Sequence, residues 1–178
     1  MSAQPAGPAF TPFTPAAVAA LPDKRLVLAA FDNVWYQVGD DVAALPRVLA
    51  ALPPGYSLVY HLVVLDAAIG SGGFNQYFYT GLDQAAPQQA EALRLIGAAA
   101  HERVLAEAQA LHAAEQSNAA LQRLYAERTP EAFAATYRLT ALGQWDEAWY
   151  ALDQTFEPLI AAYLRAHLDL FLPNPPEE

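Results

Sequence analysis

The residues of this chain that could do chemistry are few, and most of them stand alone. Gly70-Ser71-Gly72-Gly73 is a glycine cluster of the kind that cradles phosphate. A Walker loop, however, must end in Gly-Lys-Ser/Thr, and the chain's one lysine is Lys24. A dinucleotide fingerprint needs a preceding strand and a third glycine where Asn75 stands. The glycines therefore read as a tight connector. Among the histidines, His61, His101, His112 and His167, only His101-Glu102 begins like a zincin helix, and the second ligand position is taken by Leu105. No Glu-x-x-His pair supports a di-iron bundle, no Gly-x-Ser-x-Gly supports a serine hydrolase, and the absence of cysteine removes disulfides and thiolate chemistry. Asp66, inside an apolar run, is the one carboxylate placed for a perturbed pKa, and backbone amides or an arginine more often satisfy such a residue. Asp40-Asp41 and Asp146-Glu147 are adjacent pairs that point about 100° apart on a helix, which suits caps better than an acid/base dyad. No catalytic residue, metal or cofactor is expected.

The elements that would position these residues are helices. In Ser71-Gly72-Gly73-Phe74-Asn75-Gln76-Tyr77-Phe78-Tyr79, residues Phe74, Tyr77 and Phe78 take positions i, i+3 and i+4 and share one helical face. The Gly72-Gly73 pair lets the chain turn through φ > 0 ahead of them. From Ser57 to Ile69 apolar residues go all the way round a helical wheel, which predicts a buried central helix carrying His61 and Asp66. Thr14-Pro15 and Thr129-Pro130-Glu131 are helix starts. Asp23 and Ser117 are expected caps for helices ending at Gly39 and after Tyr125, and Gly97 separates two more. The pattern predicts one amphipathic helix over 145–156, with Trp145, Trp149, Leu152 and Phe156 on one stripe. On that helix Asp146, Asp153 and Glu157 would form a second, acidic stripe. The expectation is an all-α, single-domain multi-helix bundle over residues 14–172. An extended arm (1–13) precedes it and a frayed tail (173–178) follows.

Charge is the strongest bulk signal. The 178 residues carry a formal net charge of −10. It is skewed towards the C-terminal half, with six acids and three bases in residues 1–90 against thirteen and six in residues 91–178. Such a balance argues against direct binding of nucleic acid or an anionic membrane, both of which need clustered Lys and Arg. The start of the chain lacks a basic stretch followed by an apolar core, and the run from Leu58 to Ile69 is short for a bilayer. A cytoplasmic protein is expected.

Four segments together resemble a known family: 71–79, Glu91-Ala92-Leu93 with Ile96-Gly97-Ala98, Trp145-Asp146 with Tyr150 and Leu152, and Tyr163-Leu164-Arg165-Ala166-His167. They resemble a bacterial family of uncharacterised domains that includes a DNA-mimic protein. Its hallmark is a Gly-Gly-Phe-x-Gln-Tyr/Phe-Phe core, and the resemblance spans roughly residues 55–170. Ser71 and Thr80 depart from the family's more usual Asn. The resemblance implies an all-helical domain in which Gly72, Gly73, Phe74, Gln76, Tyr77 and Phe78 define the fold. For one member it implies a homodimer whose acidic surface imitates duplex DNA and binds a helix-turn-helix transcription factor.

Three functional readings follow, the last of them a purely structural or oligomerising domain whose charge serves solubility alone. The first is a non-enzymatic acidic module that binds a basic protein surface through Asp146, Glu147, Asp153 and Glu157. Its charge is sparse: a domain of this length is about 40 Å across, and duplex DNA of that length carries about 24 phosphates. The second is a small-molecule or enzymatic pocket beside the glycine pair, lined by Asp66, Gln76, Tyr77 and Tyr79.

Overall fold

Alanine and leucine favour helix, and prolines and glycines punctuate it, so the sequence favours a set of separate helices. A computed structural model describes residues 10–152 and 156–172, and among them every regular element is helical. The order is α1 (Pro15–Ala20), α2 (Asp23–Val38), α3 (Leu45–Ala51), α4 (Pro54–Tyr79), α5 (Ala86–Leu95), α6 (Ala99–Glu115), α7 (Ala119–Glu127), α8 (Pro130–Thr136), α9 (Gly143–Tyr150) and α10 (Phe156–Ala166). Short 3₁₀ turns lie at Val42–Ala44, Leu82–Ala85 and Leu168–Phe171. These residues group into two compact units, one from 10–63 and 156–172, the other from 64–152. The first nine residues of the expected arm and the expected tail lie outside the described residues.

In the first unit α2 packs on α10 and on α3. Leu26, Val27, Ala30, Val34 and Val38 bury one face of α2, and Ile160, Ala161 and Leu164 bury the matching face of α10. Phe13, Tyr56 and Phe171 form an aromatic cluster with ring centroids 5.5–6.0 Å apart. Gly55 is required there, because a Cβ would lie 2.6 Å from the Phe171 ring. Buried Asn33 exchanges two hydrogen bonds with the Thr11 backbone, accepting from its N–H (2.7 Å) and donating to its carbonyl (2.8 Å). This holds the end of the N-terminal arm. Asp23, the expected cap of α2, is its first helical residue instead, behind Pro22, and forms an ion pair with Arg165 (2.6 Å).

In the second unit α5 packs on α6, α6 on α9, and α7 on α8. Both Thr-Pro starts form as expected, with Thr14 Oγ1 accepting from the Ala17 N–H and Thr129 Oγ1 from the Ala132 N–H, each at 3.1 Å. The cap of α7 is Asn118 rather than Ser117. Its Oδ1 accepts from Ala120 and Leu121, while the Ser117 hydroxyl donates back to Ala114.

Two larger expectations are corrected. The central helix is not buried all round: Leu58, Val59, Leu62, Leu65 and Ile69 are buried, whereas Asp66, Ala67, Gly70 and Ser71 form an exposed stripe. Asp66 is thus a surface residue, as the cost of burying a carboxylate demands. The helical run also reaches Tyr79, and by length and composition (mean hydropathy 1.3) α4 is long and apolar enough to cross a bilayer. A charged side chain and a serine on its open face are not a lipid-facing pattern. The second correction concerns 145–156, which is not one helix. α9 ends at Tyr150 and α10 begins at Phe156. A turn at Ala151 and a bend at Leu152 end α9, and Pro158 sits in the first turn of α10, where its missing N–H leaves no helix bond unmade.

Three histidines sit in these packed regions. His61 is half-buried beside Tyr60, His101 is buried edge-on to Trp149 (4.6 Å), and His112 stacks on Phe78 (4.0 Å). Burial lowers the pKa of each below the ordinary 6.5. A base with a depressed native pKa binds protons more readily unfolded, so its stability contribution is lost as pH falls below 6.5. The melting temperature is expected to drop from about pH 7 to about pH 5. The triple variant H61Q/H101Q/H112Q should show a shallower slope by circular dichroism over that range.

Candidate functional site

The geometry of the motif starts from a break in α4. Gly72 (φ −162°, ψ 28°) and Gly73 (φ 66°, ψ −169°) are non-helical, so α4 is two helices joined by a kink. The Gly73 conformation lies in a region open essentially to glycine alone. A break of this kind strands carbonyls at the end of the first segment and N–H groups at the start of the second. Here each side is satisfied by a side chain from far along the chain. The Phe74 N–H donates to Asp146 Oδ1 on α9 (2.7 Å). The Tyr137 hydroxyl donates to the Gly72 carbonyl (2.7 Å), and the Tyr150 hydroxyl to the Ile69 carbonyl (2.5 Å). A Cβ on Gly73 would collide with the Asp146 carboxylate, and one on Gly72 with the Gln76 amide.

Beyond the break, the second segment is a core element. Phe74, Tyr77 and Phe78 are buried on one face, as their spacing predicts. Phe74 meets Trp149 edge-on (5.5 Å), and the Tyr77 hydroxyl donates to Gln89 Oε1 (2.6 Å). Burial, with the Asp83 charge adding, raises the Tyr77 phenol well above its ordinary value. Asn75 is buried too, donating to Thr136 Oγ1 (2.7 Å) and accepting from the Tyr125 hydroxyl (3.1 Å). Thr136 passes the chain on to the Phe133 carbonyl (2.6 Å). A continuous polar thread thus ties the segment after the break to α7 and α8.

Asp146 is half-buried at this junction. Burial raises its carboxyl above the ordinary 3.8, and the Phe74 amide pulls it back. Burial likewise raises Tyr137 and Tyr150, whose hydroxyls are engaged with backbone carbonyls. The cluster holds backbone; it presents no open nucleophile. Among the described residues no group of three His, Asp or Glu has metal-holding geometry.

The other residues named from sequence scatter. Glu147 is exposed on α9, Glu157 is exposed on α10 in the other unit, and Asp153 lies outside the described residues. Asp146 and Glu157 lie on separate helices, α9 and α10, rather than on the one helix expected to carry both. Of the four residues expected at a pocket, Asp66 is on the open face of α4 and Tyr77 is in the core. Gln76 and Tyr79 line a cavity, together with Thr80, Arg128, Thr129, Pro130 and Phe133. Sequence reasoning missed Asn75, Tyr125, Thr136, Tyr137 and Tyr150. The one available signal was the double glycine itself, since a broken buried helix must find caps.

The sequence model of the DMP19-like protein family matches residues 50–167, well over half of the chain. The chain belongs to the DMP19-like family. No curated protein matches it significantly. The matched range covers the glycine break, its three caps and the polar thread.

The break gives a sharp test. Asp146→Ala should cost about 1 kcal/mol, as for loss of a helix N-cap. Gly73→Ala should cost about 2 kcal/mol or more, from strain at φ 66° plus the collision with Asp146. In the double variant the collision is gone, so the combined loss measured by urea unfolding should fall short of the sum by about 1 kcal/mol. Full additivity would show that the carboxylate and the glycine are not coupled.

Proposed function

We propose that this chain is a non-enzymatic acidic interaction module that binds a basic protein surface of the kind a helix-turn-helix transcription factor uses to read DNA. Membership of the DMP19-like family carries this reading, and the net charge of −10 supports it. The disposition of that charge is consistent with a partner. Among the described residues the ion pairs are Arg94 with Glu91 and Glu102 and Arg165 with Asp23. Exposed carboxylates at Glu107, Glu127, Glu131 and Glu147 in one unit, and at Asp32, Asp40, Asp41, Glu157 and Asp169 in the other, stand outside these pairs.

Asp146 leaves this list, because its carboxylate is committed to Phe74. The interaction surface is therefore read as the exposed acids around it, Glu147 first. A homodimer would present such a surface twice and come nearer to duplex charge density than one copy.

The tagged chain is expected to retain DNA-binding proteins from a bacterial lysate. Duplex oligonucleotide should displace them, and so should raising salt from about 0.1 M to about 0.5 M, which shortens the Debye length. The charge-reversed variant E127K/E131K/E147K should retain less. Retention that neither DNA nor salt disturbs, or no retained DNA-binding protein, would contradict the reading.

A further inference from the structure

Within the second unit, the end of α4 and the junction of α7 with α8 line a cavity of about 350 Å³. That is the lower end of the range for small-molecule sites. Its apolar wall is the pair of rings of Tyr79 and Phe133, with centroids 4.9 Å apart, and Pro130. Its polar groups fall into two sets. The Tyr79 hydroxyl donates to the Thr129 carbonyl (3.1 Å) and the Thr80 hydroxyl to the Gln76 carbonyl (2.8 Å), so both are engaged. The Gln76 side-chain amide and the Arg128 guanidinium have no hydrogen bond or ion pair among the described residues.

Arg128 has two unusual features. Its guanidinium carbon sits 5.3 Å from the centroid of the Tyr79 ring, at the rim of the cavity, although the chain has 19 acids for 9 bases. Its backbone is left-handed (φ 52°), and among the described residues it is the one non-glycine with positive φ. That position closes α7, where glycine or asparagine is the ordinary choice. A cation at a helix C-terminus gains from the helix dipole. This accounts for the charge but not for the cavity that Arg128 lines together with the Gln76 amide.

We propose that this cavity binds a small aromatic carboxylate, a site distinct from the acidic surface and independent of the interaction reading. The ring packs against Tyr79 and Phe133, the carboxylate takes a bidentate pair from Arg128, and the Gln76 amide supplies a further donor. A neutral aromatic forfeits the charge-assisted pair.

Phenylacetate, with phenylacetamide as its uncharged control, is the probe, titrated into the full chain and followed by ¹H–¹⁵N NMR. Phenylacetate is expected to shift the amides of Tyr79, Thr80, Arg128 and Phe133 saturably, binding about tenfold more tightly than the amide. Arg128→Gly suits the left-handed backbone and should leave the melting temperature no lower, yet weaken phenylacetate by about tenfold. No saturable shift, equal binding of the two probes, or unchanged affinity in Arg128→Gly would overturn the proposal.

Discussion

One hydrogen bond organises the second unit: the Phe74 N–H donating to the Asp146 carboxylate across a break in α4. It exists because Gly73 adopts a conformation open essentially to glycine alone, and because the missing Cβ leaves room for the carboxylate to approach. Breaking a helix inside a core is costly unless the freed backbone groups are satisfied. Tyr137 and Tyr150 complete that requirement on the carbonyl side. The reward is geometric. The chain re-enters helix at a new angle and delivers Phe74, Tyr77 and Phe78 as one buried face.

This arrangement separates two roles that lie side by side in the sequence. The acids near the motif look like one surface stripe when read along a single helix. In the fold, Asp146 is a structural cap while Glu147, its neighbour, faces solvent. Charge and fold are therefore carried by different residues. An interaction surface on the exposed acids could vary without disturbing the core, and membership of the DMP19-like family does not by itself say what the chain binds.

Much of this was legible from the residues. The helical class followed from composition, the Thr-Pro starts from capping chemistry, and the shared face of Phe74, Tyr77 and Phe78 from their spacing. What was not legible is what arises between distant positions. Asp146, Tyr137 and Tyr150 act on residues 65–81 positions away, and no local pattern marks a tyrosine as a carbonyl cap. The apolar spacing of Trp145, Trp149 and Leu152 runs on past Tyr150, where α9 ends, so periodicity alone overran the helix boundary. Asp66 was misplaced because a wheel of apolar residues conceals which narrow stripe remains open.

The central claim is that the capped break is a stable core element rather than a flexible joint. Amide hydrogen exchange at Phe74 tests it most directly. If the Asp146 bond closes the break, the Phe74 amide exchanges as slowly as the buried amides of α4, and Asp146→Ala accelerates it selectively. Exchange at Phe74 as fast as at exposed loop amides in the unaltered chain would contradict the account.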